Sequence, residues 1–174
     1  MKSLNKYISE WKISNQSSRN IDYMDYNKCF IFNHESIGCI KIFDHDFSEL
    51  KNYKDNVYIN GEHVKINKNG YTSIMYDPGI YRINIKDIDN ITNCRFMFWG
   101  CNELESVPEL NGENIKVTHA MFYNCVNLKE VPLFKINDKD TMTDMFNGCR
   151  NLNRKCKLEW GKIYDFELDY KKGL

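Results

Sequence analysis

Three clusters in the 174-residue sequence carry side chains able to do chemistry. Asp44-His45-Asp46 sets a carboxylate on either side of an imidazole, which can orient a general base or a divalent metal. If these residues prolong the extended segment before them, neighbours point to opposite faces and the three groups diverge. A solvated loop is then the expected role, with metal binding or catalysis as the competitor. Glu62-His63 offers less of the same chemistry and falls in a hairpin loop. His119 has Arg95 and Thr143 as its counterparts 24 residues away, a mixed set expected of a solvent-facing position.

The seven cysteines form the third cluster. Cys94 and Cys101 lie seven apart, as do Cys149 and Cys156, whereas zinc knuckles favour about two to four intervening residues. An odd count at hydrophobic positions favours reduced, packed thiols, and a disulfide would need an oxidising compartment. The sequence contains no glycine-rich phosphate loop, no Gly-x-Ser-x-Gly elbow and no His-Glu-x-x-His. The expectation is a chain with no catalytic residues, no metal and no cofactor, hence not an enzyme.

Charge narrows the partners. There are 24 basic and 24 acidic residues, split evenly between the two halves of the chain. A general nucleic-acid binder needs a basic footprint, so nucleic acid is disfavoured unless reached through a partner ribonucleoprotein. Membrane binding is disfavoured too, because no segment approaches the ~20 apolar residues of a span. The first residues lack a continuous apolar core and a cleavage site, so the chain reads as cytoplasmic, in a bacterium or a phage-infected host. It would be surface-exposed if a signal had been removed.

The elements that would position these groups follow from pattern. Leu4, Tyr7, Ile8 and Trp11 have helical spacing with Ser3 as N-cap, and residues 14–20 read as a linker. Strands are expected at Cys29–Phe32, Ile37–Phe43, Tyr71–Tyr76 and Ile80–Ile85. Val57–Ile59 and Val64–Ile66 flank Asn60-Gly61 as a hairpin whose loop length Glu62 and His63 leave open. Lys68-Asn69-Gly70 and Asp77-Pro78-Gly79 are further turns. Alternation in Ile80–Ile85 predicts a sheet with one wet face. These make a small antiparallel, sandwich-like β-unit.

From residue 91 the sequence repeats itself. Met97-Phe98, Met121-Phe122 and Met145-Phe146 recur every 24 residues, as do Cys101, Cys125 and Cys149, and Leu104, Leu128 and Leu152. One such unit cannot close a core, but stacked units turn these residues into ladders. A 24-residue period falls in the leucine-rich-repeat range. A helical turn is expected at Val117–Asn124 and a strand from Leu128 past Val131. The fold class is therefore α+β: residues 1–27 helix and linker, 28–90 β-unit, 91–157 three repeats as a short solenoid, and 158–174 a cap.

The phrase Met-Phe-x-x-Cys-x-x-Leu-x-x-Val-Pro, intact at Met97–Pro108 and Met121–Pro132, resembles the BspA-type leucine-rich repeat. It is also similar to repeats of Mycoplasma-type surface proteins, often preceded by a small β-domain. The third unit departs from the pattern, with Lys155-Cys156 where Val-Pro would stand. The resemblance implies a protein-binding module rather than any one partner. Two narrower roles compatible with it are a phage- or mobile-element-encoded inhibitor of a host defence nuclease, and a bacterial surface adhesin fragment.

If the chain binds a protein, two surfaces are candidates. Trp99 and Tyr123 follow the Met-Phe pairs and either anchor a partner or pack on the flanking turn. The non-ladder positions of the strand side, Glu105, Glu109, Lys129, Glu130, Arg154 and Lys157, run from acidic to basic along the stack and would steer a polarised partner. The alternative is a merely solvated surface.

Overall fold

The computed structural model describes residues 25–164. The helix and linker expected before residue 21, and the cap beyond residue 164, lie outside them. Five strands, β1 (Phe30–His34), β2 (Val57–Ile59), β3 (Glu62–Val64), β4 (Gly79–Ile85) and β5 (Leu104–Ser106), form one antiparallel sheet in the order β3-β2-β4-β1-β5. The helices are short: α1 (Leu50–Tyr53) and α2 (Arg154–Tyr164). An α+β chain with a single sheet results, and no second sheet faces it among the described residues, so the sandwich expectation is corrected. The sheet's inner face packs instead on residues 40–53 and on the Met-Phe segments, in one continuous core.

The β2–β3 hairpin turns on Asn60 and Gly61 alone, with φ of 50° and 89°. Those positive values are what a two-residue turn demands. Ile59 therefore pairs with Glu62, and Tyr58 with His63. Glu62 and His63 are strand residues, not loop.

β4 lies between β1 and β2. Tyr81, Ile83 and Ile85 share one face, opposite Phe32, Phe30 and Val57. The other face was expected to be wet, yet Arg82 and Asn84 are buried there. The turn Tyr26–Lys28 crosses that face, and the Asn84 amide donates to the carbonyls of Asp25 and Lys28 at 2.8 and 3.0 Å. Buried amides require such partners.

The strands expected at Ile37–Phe43 and Tyr71–Tyr76 reduce to single bridges, Gly38 with Tyr76 and Lys41 with Tyr71. A side chain interrupts the ladder between them: Thr72 Oγ1 accepts from Ile40 N–H at 3.0 Å and donates to Ile74 O at 2.8 Å. Threonine hydroxyls compete with backbone pairing in this way. Gly70 then closes the turn against Phe43, so tightly that a Cβ would lie 2.0 Å from the Phe43 carbonyl oxygen.

The repeated segments run alongside the sheet. The helical turn expected at Val117–Asn124 is absent. Left-handed residues interrupt each copy at matching places: Phe96, Ala120 and Asp144 (φ 58°, 50°, 57°), then Gly100, Asn124 and Gly148 (63°, 56°, 78°). The cause is hydrogen bonding between copies. Phe98 N–H donates to Met121 O at 2.9 Å and Gly100 N–H to Tyr123 O at 2.8 Å, and Phe122 and Asn124 repeat the pattern with Met145 and Asn147 at 3.0 and 2.8 Å. A helix would direct those donors to carbonyls four residues back.

On the inside, the rings of Phe98, Phe122 and Phe146 stack at 5.6 and 5.7 Å with planes within 7°. Phe30 meets one end of this column at 5.2 Å and Trp160 of α2 meets the other at 5.3 Å. The strand expected from Leu128 to Val131 is one bridge, Ser106 with Glu130. After the third copy the chain enters α2 at Arg154, with Asn153 Oδ1 accepting the Cys156 N–H as a helix cap.

Candidate binding surfaces

Each cysteine of the repeat is fixed by the layer before it, which for Cys101 is the β-unit and for the other two the preceding copy. Cys125 Sγ donates to Phe98 O at 2.9 Å and Cys149 Sγ to Phe122 O at 3.0 Å, while Cys101 Sγ donates to Ile42 O at 3.6 Å. A thiol suits the place because it is small, apolar and a weak donor. Burial pushes all three thiols up from their ordinary value of 9.0, Cys149 to about 12. None of the seven cysteines is in a disulfide. The three ladder thiols, buried and held in the protonated form, act as packing groups.

The opposite side of the stack carries aromatic rings. Trp99 sits 5.0 Å from Tyr123 and 4.8 Å from Phe96, and His119 meets Phe96 edge-on at 5.3 Å. The Arg95 guanidinium lies over the Phe96 ring at 4.7 Å. All four rings are half-buried. His119, expected to face solvent from a helix, instead joins this strip from a turn. Phe96 escaped sequence reasoning because its counterparts are Ala120 and Asp144, which share nothing with it but a left-handed backbone. Asn147, next in line after Tyr123, is exposed and extends the strip with a polar group.

The charged positions are less uniform than their spacing suggests. Glu105 is half-buried and ion-paired to Lys129 of the next copy. Glu109 and Glu130 are exposed. Arg154 and Lys157 do not lie on a strand: both belong to α2, because the third copy turns helical where the Val-Pro pair is missing. With Leu152 and Leu158 they line an open groove of about 510 Å³.

Asp44, His45 and Asp46 converge. They occupy a turn rather than a strand, and one ligand atom from each lies within 4.8 Å of the others. The opposite-face argument therefore fails. Asp44 is also buried rather than solvated, accepting from Lys41 Nζ at 2.7 Å and from Asp46 N–H at 3.0 Å. Burial draws the Lys41 ammonium down, but its hydrogen bond to Asp44 and nearby negative charge outweigh that and raise it overall. The ammonium already compensates the negative charge that Asp44 would offer a cation.

A pair that no spacing indicated joins sheet and repeat. His34, 3 % exposed, lies with Nδ1 2.7 Å from Glu103 Oε1. His34 Nε2 and Glu103 Oε2 are buried with no protein partner.

No helix among the described residues is long and apolar enough to cross a membrane. No curated protein and no solved structure matches the chain. Residues 78–165, half of its length and all three Met-Phe copies, do match a family, and the chain belongs to it: the family described as "Mycoplasma protein of unknown function, DUF285".

Proposed function

We propose that the chain is a non-enzymatic protein-binding module built on a short leucine-rich-repeat solenoid of the BspA type. BspA-like repeat proteins belong to the same family. The solenoid reading is supported by the in-register ring column, by the recurring left-handed residues and by the bridge from β5 to Glu130. Repeats of this kind present a regular outer surface on a rigid scaffold.

The observation that carries the binding reading is the strip of Phe96, Trp99, His119 and Tyr123. Its rings are supported from below by the stack yet keep part of their surface in solvent. Large, pre-ordered aromatics bind at low entropic cost, which is why they dominate interface energetics.

The experiment is affinity capture from the source cell with the full chain immobilised, comparing it with Trp99→Ala and Tyr123→Ala. A protein retained by the parent chain should lose binding by roughly tenfold or more in each variant. Equal retention by all three would show that the aromatic strip is not the contact surface.

A further inference from the structure

We propose that the aromatic strip takes a short acidic segment of a protein partner, with one carboxylate on Arg95 and an apolar side chain over Trp99 and Tyr123. The proposal rests on the strip being the contact surface, and it adds the charge and the direction of what is held there.

Arg95 is exposed, and its guanidinium stands 4.7 Å from the centre of the Phe96 ring. Stacking engages the face of a guanidinium, not the N–H groups around its edge. A stacked arginine can therefore still take a carboxylate through two parallel hydrogen bonds, and the ring beneath restricts its motion beforehand. No carboxylate among the described residues lies within ion-pair distance of Arg95. The acids that adjoin the first copy have other partners. Asp44 accepts from Lys41 Nζ at 2.7 Å, and Asp46 lies 3.6 Å from His45. Glu49 Oε1 accepts from the N–H groups of Thr92 and Asn93 at 3.2 and 2.7 Å.

The sequence around the strip has the same sign. Residues 90–102 and 115–128, which carry all of its rings, include Arg95 and Lys116 but no Asp or Glu. The third copy reverses this, with Thr143, Asp144 and Asn147 where the first has Arg95, Phe96 and Trp99. One end of the row is thus cationic and aromatic, the other polar and acidic. An anion on the partner gains at Arg95 and is repelled at Asp144, which fixes its direction along the stack.

The length of the segment follows from the spacing. Trp99 and Tyr123 lie 5.0 Å apart, and the third copy is one step further. Three rows at ~4.8 Å span about 10 Å, which three or four extended residues advancing ~3.3 Å each would cover. Rings beside an arginine also serve single-stranded nucleic acids, but such sites need a basic groove that follows the backbone. Here the row ends in a carboxylate, so a single anionic group at one end is the better match.

The test pans a phage-displayed library of random twelve-residue peptides on the immobilised full chain, with Trp99→Ala as the counter-selection. Peptides kept by the parent alone should carry Asp or Glu within four residues of an aromatic or aliphatic side chain. A synthetic copy of the most enriched one should bind Arg95→Ala roughly tenfold more weakly than the parent. Panning on Arg95→Glu should turn the enriched charge from acidic to basic. Should the Arg95 variants fail to fold, the composition of the peptides selected by the parent decides alone. Strip-dependent peptides with no acidic bias, or with a basic one, would overturn the proposal and leave the protein-binding reading standing. Peptides that bind Trp99→Ala equally well, or no enrichment at all, would remove the strip as the contact surface and this proposal with it. Binding of a labelled single-stranded oligothymidine to the strip in place of acidic peptides would overturn it in favour of nucleic acid.

Discussion

Glu103 lies against His34 at 2.7 Å, Oε1 to Nδ1, and this contact ties the end of β1 to the residue that leads into β5. Asn33 N–H donates to the Glu103 carbonyl at 2.8 Å beside it. The sheet and the first repeat are thus joined by a polar clasp. Removing one member leaves the other buried and unpaired, which is costlier than never having had the pair. Glu103→Ala should therefore destabilise by about 1–3 kcal/mol in urea unfolding. The apolar double variant His34→Phe, Glu103→Leu should recover most of that loss. A single variant within about 0.5 kcal/mol of the parent would mean the clasp contributes little.

The ring column should behave as one unit. Phe122 is enclosed on both faces by Phe98 and Phe146. Phe122→Ala deletes the middle ring and leaves a cavity that neither neighbour can close, so a loss of about 3–5 kcal/mol is expected. The milder Phe122→Leu keeps a measurable folded population if the alanine variant is too unstable. Denaturant midpoints compared at constant slope give the answer.

Backbone handedness provides a test with an unambiguous sign. Asp144 is exposed and has φ of 57°. In a helix alanine is more stable than glycine by about 1 kcal/mol. At a left-handed position the order reverses, since a Cβ costs about 1–2 kcal/mol there. Asp144→Gly should accordingly be more stable than Asp144→Ala, by thermal or urea melting. The opposite order would restore the helical turn that the sequence suggests.

Alkaline pH should unfold the chain for an identifiable reason. Burial raises Cys101, Cys125 and Cys149 above their ordinary 9.0, with Cys149 at about 12. Below pH 9 both folded and unfolded states keep these protons, and the stabilisation is fully present. Between 9 and about 12 the unfolded thiols ionise while the folded ones do not, so stability falls by about 1.4 kcal/mol per pH unit per thiol. Burial raises Tyr53 and Tyr76 from 10.0 to about 12 as well, which adds to the same trend. Urea midpoints from pH 8 to 10.5 should decline, and Cys125→Ala should flatten the slope. In the native state a thiol reagent should modify Cys39, the exposed cysteine, well ahead of the five buried ones.

What could be read in advance divides along physical lines. The Asn60-Gly61 hairpin was legible because a short turn is governed by two residues. The 24-residue ladder was legible because stacking repeats its contacts at one interval. The conformation inside each copy was not, since Val117–Asn124 has helical texture locally and is overruled by hydrogen bonds to another copy. His34 and Glu103 stand 69 residues apart with no pattern linking them. The convergence of Asp44, His45 and Asp46 was hidden by assuming a strand where Asp44 closes a turn, its Oδ1 accepting from Asp46 N–H and its carbonyl from Phe47 N–H. Among the candidate surface residues, Arg154 and Lys157 were sited by extending a period one strand too far.

At the Met-Phe turns the hydrogen bonds between copies run one way: Phe98 and Gly100 give to Met121 and Tyr123, and Phe122 and Asn124 to Met145 and Asn147. Lys116, Lys129 and Asn153 give in the opposite sense, to Thr92, Glu105 and Lys129. Within the Met-Phe row the peptide dipoles point the same way and add locally, as they do along a helix. That row therefore has a carbonyl pole and an amide pole. At the carbonyl pole, Met97 O receives the Asp44 N–H at 3.0 Å and Trp99 O receives Lys41 Nζ at 2.7 Å. Lys41 is thus the counter-ion of an oriented backbone, a cation where accumulated negative polarity emerges.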